Sequence, residues 1–226
     1  MRGVPVRRRA AGLVLAGLLL TGCGSPDPAD TPPQSGEQLR AMLLTMEEYG
    51  LEGADGPGEQ IDPSLIATVV DDPSQAEGAC ADALQALQSA SFETTASAAE
   101  AVSVVEGYED AYLPPILSTA LFAREDANGP EPGPLYTAVG RDCEATELRQ
   151  GEATVTVAPL PGGRDGVVAH SSGDELLGDA SVTIAVDTVG HHHVMVSGIL
   201  VDPETVVAAF DRQVEKLRQG LLAAAP

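Results

Sequence analysis

His191-His192-His193 is the densest run of metal-capable side chains in the 226 residues. On an extended segment alternate residues share a face, so His191 and His193 point one way and His192 the other, with Val194 and Val196. Two imidazoles at that spacing can hold Zn²⁺ or Cu²⁺ when a third ligand arrives. His170 and Asp187 are the residues neighbouring strands can bring. The competing reading is a polar strand start beside a turn. His170 is followed by Ser171-Ser172-Gly173-Asp174, which places a base near hydroxyls, but no Gly-x-Ser-x-Gly elbow accompanies it. A softer set is Thr154, Thr156, Ser181, Thr183, Asp187, His191, His193 and Ser197. These form either the wet face of an antiparallel sheet, opposite Val155, Val182, Ile184 and Val196, or the lining of a ligand cleft.

Other chemistry is thin. With 34 Asp+Glu, any carboxylate pair is uninformative for glycoside hydrolysis. The loop Pro161 to Gly166 lacks Gly-Lys-Ser/Thr and reads as a hairpin connection. Acidic clusters such as Asp71-Asp72 and Glu106-Glu109-Asp110 lack the spaced ligands of a Ca²⁺ loop and read as solvated surface. No cofactor is implied.

Three cysteines carry the firmer chemistry. Residues 1–22 contain Arg2, Arg7, Arg8 and Arg9 and no acid, followed by an apolar run from Ala10 to Leu20. That run is too short to span a bilayer and suits the core of a signal peptide. It ends in Leu20-Thr21-Gly22-Cys23, which resembles the bacterial lipobox: an aliphatic residue, two small ones, and a Cys that is acylated and becomes the new N-terminus. The other reading is an ordinary secretory signal with a chance Cys. Cys80 and Cys143 then form an even pair in an exported chain, which reads as one disulfide. A reactive thiol pair is the alternative, and the spacing is nothing like Cys-x-x-Cys.

Processing at Cys23 leaves 8 Lys+Arg against 34 Asp+Glu, a net charge of −26. Such a surface argues against nucleic acid, which needs clustered cations, and is repelled by anionic headgroups. Residues 23–36, with Pro26, Pro28, Pro32 and Pro33, read as a semi-stiff tether. Residues 37–226 are long enough for one domain with a real core. Several acyl chains, at about 0.8 kcal/mol per buried CH₂, hold such a protein firmly.

The positioning elements follow from periodicity. Leu39, Met42, Leu43 and Met46 predict a helix over 37–49 ending at Gly50, followed by a Gly-rich loop over 50–58. The type of the apolar run within 61–70 stays open. Asp72-Pro73 predicts a helix start, with that helix running to about Ser89 and turning Cys80, Leu84 and Leu87 to the core. The stretch from Phe92 to Arg124 is Ala/Ser/Thr-rich, and its type stays open. A short helix over 135–143 delivers Cys143. Strands are predicted over 152–158, 167–170, 181–187 and 191–200. Asp202-Pro203-Glu204 opens a last helix whose Val207, Phe210, Val214, Leu217 and Leu221 form one apolar stripe. The fold class is α+β: an antiparallel sheet with helices packed on one face and one disulfide.

Taken in order, these features resemble the extracellular sensor-like domain of actinobacterial lipoproteins and of the mycobacterial serine/threonine protein kinase H. The features are the lipobox and tether, the helix at Leu39 to Met46, Cys80 on a Leu-bearing helix, Cys143 before a Thr/Val strand, the hairpin around Asp187 to Val196 and the terminal helix near Leu217. The resemblance covers most of 37–220 and implies a disulfide-stapled α+β domain with a cleft that binds an unknown ligand, not an enzyme. This chain departs from the kinase domain, which has two disulfides where one can form here, and no kinase or span follows the signal. The resulting expectation is a palmitate-bearing lipoprotein on the outer face of the cell membrane. It would bind a small-molecule or envelope ligand, in concert with a membrane-protein partner, through Thr154, Thr156, Thr183, Asp187 and Ser197. The alternatives are a metal-binding lipoprotein using His191 and His193, an envelope hydrolase using His170, and a lipid carrier.

Overall fold

The computed structural model describes residues 27–51, 54–59, 75–104, 113–150, 153–174 and 178–225. The signal peptide, Cys23, the run within 61–70, Asp72-Pro73 and the Glu106-Glu109-Asp110 cluster lie outside the described residues, but the helix expected to run from Asp72-Pro73 to Ser89 begins only at Gly78, with Glu77 extended before it.

Eight antiparallel strands form one sheet: β1 (Ala54–Glu59), β2 (Ala96–Val104), β3 (Ile116–Ala123), β4 (Glu147–Gln150), β5 (Ala153–Pro159), β6 (Gly166–Asp174), β7 (Gly178–Val189) and β8 (His192–Ile199). Their spatial order is β1-β2-β3-β8-β7-β6-β5-β4. Among the described residues the α-helices are α1 (Gly36–Ala41), α2 (Met46–Tyr49), α3 (Gly78–Ser89), α4 (Pro132–Asp142) and α5 (Pro203–Ala224). The α+β class, the antiparallel sheet and the disulfide are as expected.

The distribution of helices differs from the expectation of one covered face. Leu117, Leu121, Val194, Val196 and Ala185 point to a core shared with α1, α2 and α5. Val155, Val157, Val167, Ile184, Val186 and Met195 point the other way, to α3 and α4. Strand alternation sends both sets of apolar residues inward, so each face needs its own helical cover. We call these the α5 face and the disulfide face. Cover is staggered: α5 lies against β7 and β8, while α4 lies against β5, β6 and β7.

Local chemistry explains the helices. Asp202 caps α5 by accepting from Glu204 N–H, with Pro203 in the first turn. The single helix expected over 37–49 is two. Ser35 and Gln38 form a capping box for α1, and Gly50 ends α2 in the left-handed region. Between them, Gln213 of α5, fully buried, accepts from Leu44 N–H and donates to the Met42 carbonyl. That side chain replaces helical bonds the break removes. On the disulfide face, α4 approaches the sheet at Gly140, where a Cβ would stand 3.0 Å from Pro159 Cα. Residues 54–59, expected to be loop, form an edge strand paired with β2; an edge position tolerates Pro57. The Ala/Ser-rich stretch is β2 and β3.

Cys80 of α3 and Cys143, the residue capping α4, are bonded across a Cα–Cα distance of 4.7 Å. Both are buried in the disulfide-face core. The loop closed is 63 residues, for which the chain-entropy model gives roughly 4 kcal/mol.

Candidate functional site

The histidine run sits where β7 turns into β8. Gly190 and His191 form the turn, and only His192 and His193 are on β8. The shared face expected of His191 and His193 is therefore not formed: His191 belongs to the turn, and His192 and His193 alternate across the sheet. His191 Nδ1 lies 3.1 Å from the Arg124 carbonyl, so it carries the proton. His192 lies on the α5 face, 0% exposed, and its Nε2 accepts the Gln34 N–H at 3.1 Å. His193 lies on the disulfide face, with Nδ1 2.9 Å from Thr188 Oγ1 and its ring edge-on to Phe92. Burial pushes both rings down to about 4, and the Arg124 charge adds to the shift.

Arg124 organises this end. It is 4% exposed and donates to the carbonyls of Ala127, Gly129, Pro130 and Gly190. Its guanidinium thus ties the loop after β3 to the β7–β8 turn. Among the described residues, no group of three or more His, Cys, Asp or Glu gathers where a metal ion could be held.

The stretch read as a tether, residues 23–36, is docked here from Asp27 onward. Thr31 and Gln34 are 3% and 6% exposed. Thr31 Oγ1 donates to the Leu221 carbonyl at the end of α5. One physical reason is polar satisfaction at His192, whose buried Nε2 needs a donor and gets the Gln34 N–H; Thr31 adds a second donor to the Leu221 carbonyl, which already accepts from Ala225 N–H.

The second feature is an open strip of the α5 face over β4, β5 and β6, beyond the reach of α5. Two cross-strand rows lie on it. Glu147, Thr156, His170 and Ser181 face one another in turn across β4 to β7, and Arg149, Thr154 and Ser172 form the row beside them. Glu147, Arg149, Thr156, His170 and Ser172 are exposed. The strip presents hydroxyls, one imidazole and one charge of each sign: a hydrogen-bonding surface with no net charge in a strongly acidic chain.

Of the expected ligand residues, Thr154 and Thr156 are brought together on this strip. Thr183 shares the face but is fully buried. Asp187 lies nearer the β7–β8 turn, 3.7 Å from Arg218 of α5. Ser197 is on the disulfide face, bonded to Ser118 Oγ at 2.7 Å. The register that pairs Ala185 with Val196 sets this division. Ser171 points away from His170, while Ser172 shares its face. Sequence reasoning missed Glu147 and Arg149, although the alternation Glu147-Leu148-Arg149 around buried Leu148 was a usable signal.

A separate groove of about 410 Å³ lies between α2 and α5, lined by Leu44, Glu48, Arg212, Glu215, Lys216 and Gln219. Its charges are already engaged. Lys216 bonds Glu48 and holds that carboxyl down at about 2, and Arg212 donates to the Tyr49 carbonyl.

The chain's fold is similar to that of the extracellular domain of PknH from Mycobacterium tuberculosis. The superposition covers 84% of this chain and 99% of that domain, with a TM-score of 0.49 and 16% identity. The likeness anticipated from the sequence is thus present as one of fold. No protein-family model matches the sequence, and no curated protein matches it. Among the described residues, no helix is long and apolar enough to cross a membrane.

Proposed function

We propose that this chain is a lipoprotein of the cell envelope, held on the outer face of the membrane by acyl chains on Cys23, whose domain is a non-enzymatic, sensor-like ligand-binding module. The observation that carries the reading is the buried Cys80–Cys143 bridge, because a persistent disulfide belongs to an oxidising compartment and the leader ending at Cys23 is a route to one. The open strip over β4 to β6 is the surface we assign to ligand. Its rows of Thr156, His170 and Ser172 offer donors and acceptors without net charge, which suits a neutral polar molecule or envelope polymer more than a cation. A membrane-protein partner would receive the signal, since the described residues contain no spanning helix to carry it.

The test is mass spectrometry of small molecules that co-purify with the protein from its native envelope. The reading expects a species retained by the unsubstituted protein and depleted in a Thr156→Val/His170→Ala variant of unchanged stability. Chemical turnover of that species by the protein contradicts the non-enzymatic reading. Equal retention by the variant contradicts the strip as the site.

A further inference from the structure

The docked N-terminal segment has a consequence for how the domain stands on the membrane. We propose that residues 27–35 are a latch, which fixes the β7–β8 turn end of the domain toward the bilayer and the opposite, Ser172–Ser181 end away from it. The proposal rests on the reading of Cys23 as the acylated residue.

The latch is continuous. Asp27 accepts from Ala29 N–H and caps a short turn over Pro28–Asp30. Ala29 sits on Gly190 so closely that a Cβ there would stand 2.3 Å from the Ala29 carbonyl oxygen, and Gly190 has φ +56°. Thr31 then bonds the end of α5, Gln34 bonds His192, and Ser35 caps α1. Every anchoring group lies at one end of the sheet. Only the links from Cys23 to Asp27 remain to reach the lipid, a span of about 14 Å at full extension. β7 runs from its Gly178 end to Val189 beside the latch, so the far end of the sheet stands roughly 35 Å farther out.

Charge limits the approach from the other side. Asp27, Asp30, Glu125, Asp126 and Glu131 are exposed at the latched end. They are repelled by anionic headgroups over a Debye length of about 8 Å. Short reach and repulsion together give a narrow stand-off with a defined orientation, where a free tether of residues 23–36 would allow the domain to tumble. The outer row of the strip, Thr154 and Ser172, then meets whatever arrives from outside.

The experiment uses the mature chain extracted from its native membranes and added to phosphatidylcholine vesicles containing a headgroup-quencher lipid, with a fluorophore on Glu125→Cys or on Asp179→Cys. The expected result is several-fold stronger quenching at position 125 than at 179. The difference should shrink in Gln34→Pro, which removes the N–H that His192 accepts. Equal quenching at the two positions in the unsubstituted latch overturns the orientation. Protein left in the supernatant overturns the acyl reading instead. The latch is then judged by hydrogen exchange in the full chain. The Gln34 amide should exchange at least about tenfold slower than an open amide. Exchange at the open rate overturns the latch, and slowing that vanishes in His192→Ala supports it.

Discussion

The backbone N–H of Gln34 donates to Nε2 of His192 across 3.1 Å, and both residues are buried. The bond requires an unprotonated Nε2. It therefore ties the N-terminal segment to the neutral form of a histidine that burial already holds down at about 4.

Stability should fall with acid in a window set by these rings. His192 and His193 have folded values of about 4 against an ordinary 6.5. The unfolded chain therefore binds more protons between those limits. The stability they contribute is complete above pH 6.5, is lost progressively as pH falls toward 4, and does not decline further from this source below that. At about 1.4 kcal/mol per unit, two rings each lowered from 6.5 to about 4 account for a loss of up to about 7 kcal/mol. Urea unfolding at pH 7.5 and 4.5 should show the loss, and it should shrink in His192→Gln/His193→Gln. An equal pH dependence in the variant contradicts the assignment.

Removing the bridge should weaken the fold without abolishing its topology. Cys80→Ser/Cys143→Ser is expected to lose roughly 4 kcal/mol. The reason is that the loop Cys80 and Cys143 close is 63 residues long. The measurement is the shift in urea midpoint at constant slope. A shift under about 1 kcal/mol would mean the unfolded chain is already compact in this loop.

Gln213 and Arg164 make a contrast between buried and exposed polar contacts. Gln213→Leu strands the Leu44 N–H and the Met42 carbonyl, and should cost about 2–4 kcal/mol. Arg164→Ala removes the surface pair with Asp211 and should cost under about 1 kcal/mol. Thermal melts of the two variants, compared with the parent, check the order; a reversed order contradicts the role given to Gln213.

Gly140 should resist even a small side chain. Its Cβ position is 3.0 Å from Pro159 Cα and 3.3 Å from Val167 Cγ1, and backbone cannot swing aside as a flexible side chain does. Gly140→Ala is expected to gain helix propensity and yet lose about 1–3 kcal/mol through displacement of α4. A stabilised variant in calorimetry contradicts the close approach.

The parts legible in sequence are those governed by local rules. The α5 stripe from Val207 to Leu221, the Asp202-Pro203 start and the Gly50 end of α2 follow from spacing or capping, and the Cys80–Cys143 pairing follows from the two thiols left in an exported chain once Cys23 is assigned to the leader. β2 and β3 were not legible, because Ala, Ser and Thr fit a crowded sheet interior as well as a helix and carry no period. The division of the helices between two faces is a tertiary choice: Val182 and Val196, assigned to one side from alternation alone, lie on opposite sides once β7 and β8 pair in register. The docking of residues 27–35 was hidden for a similar reason. A Pro-rich polar segment looks like a tether unless the buried His192 Nε2, whose donor it supplies, is known to need one.

The central claim is that an acylated Cys23 anchors a disulfide-closed domain outside the membrane. Intact-mass analysis of the protein extracted from membranes, with and without a thiol-alkylating reagent, tests both halves at once. The account predicts a chain beginning at residue 23, heavier than its sequence by a diacylglycerol-based lipid, with no alkylated thiol at Cys80 or Cys143 until it is reduced. A chain without lipid, or one alkylated at either cysteine before reduction, contradicts it.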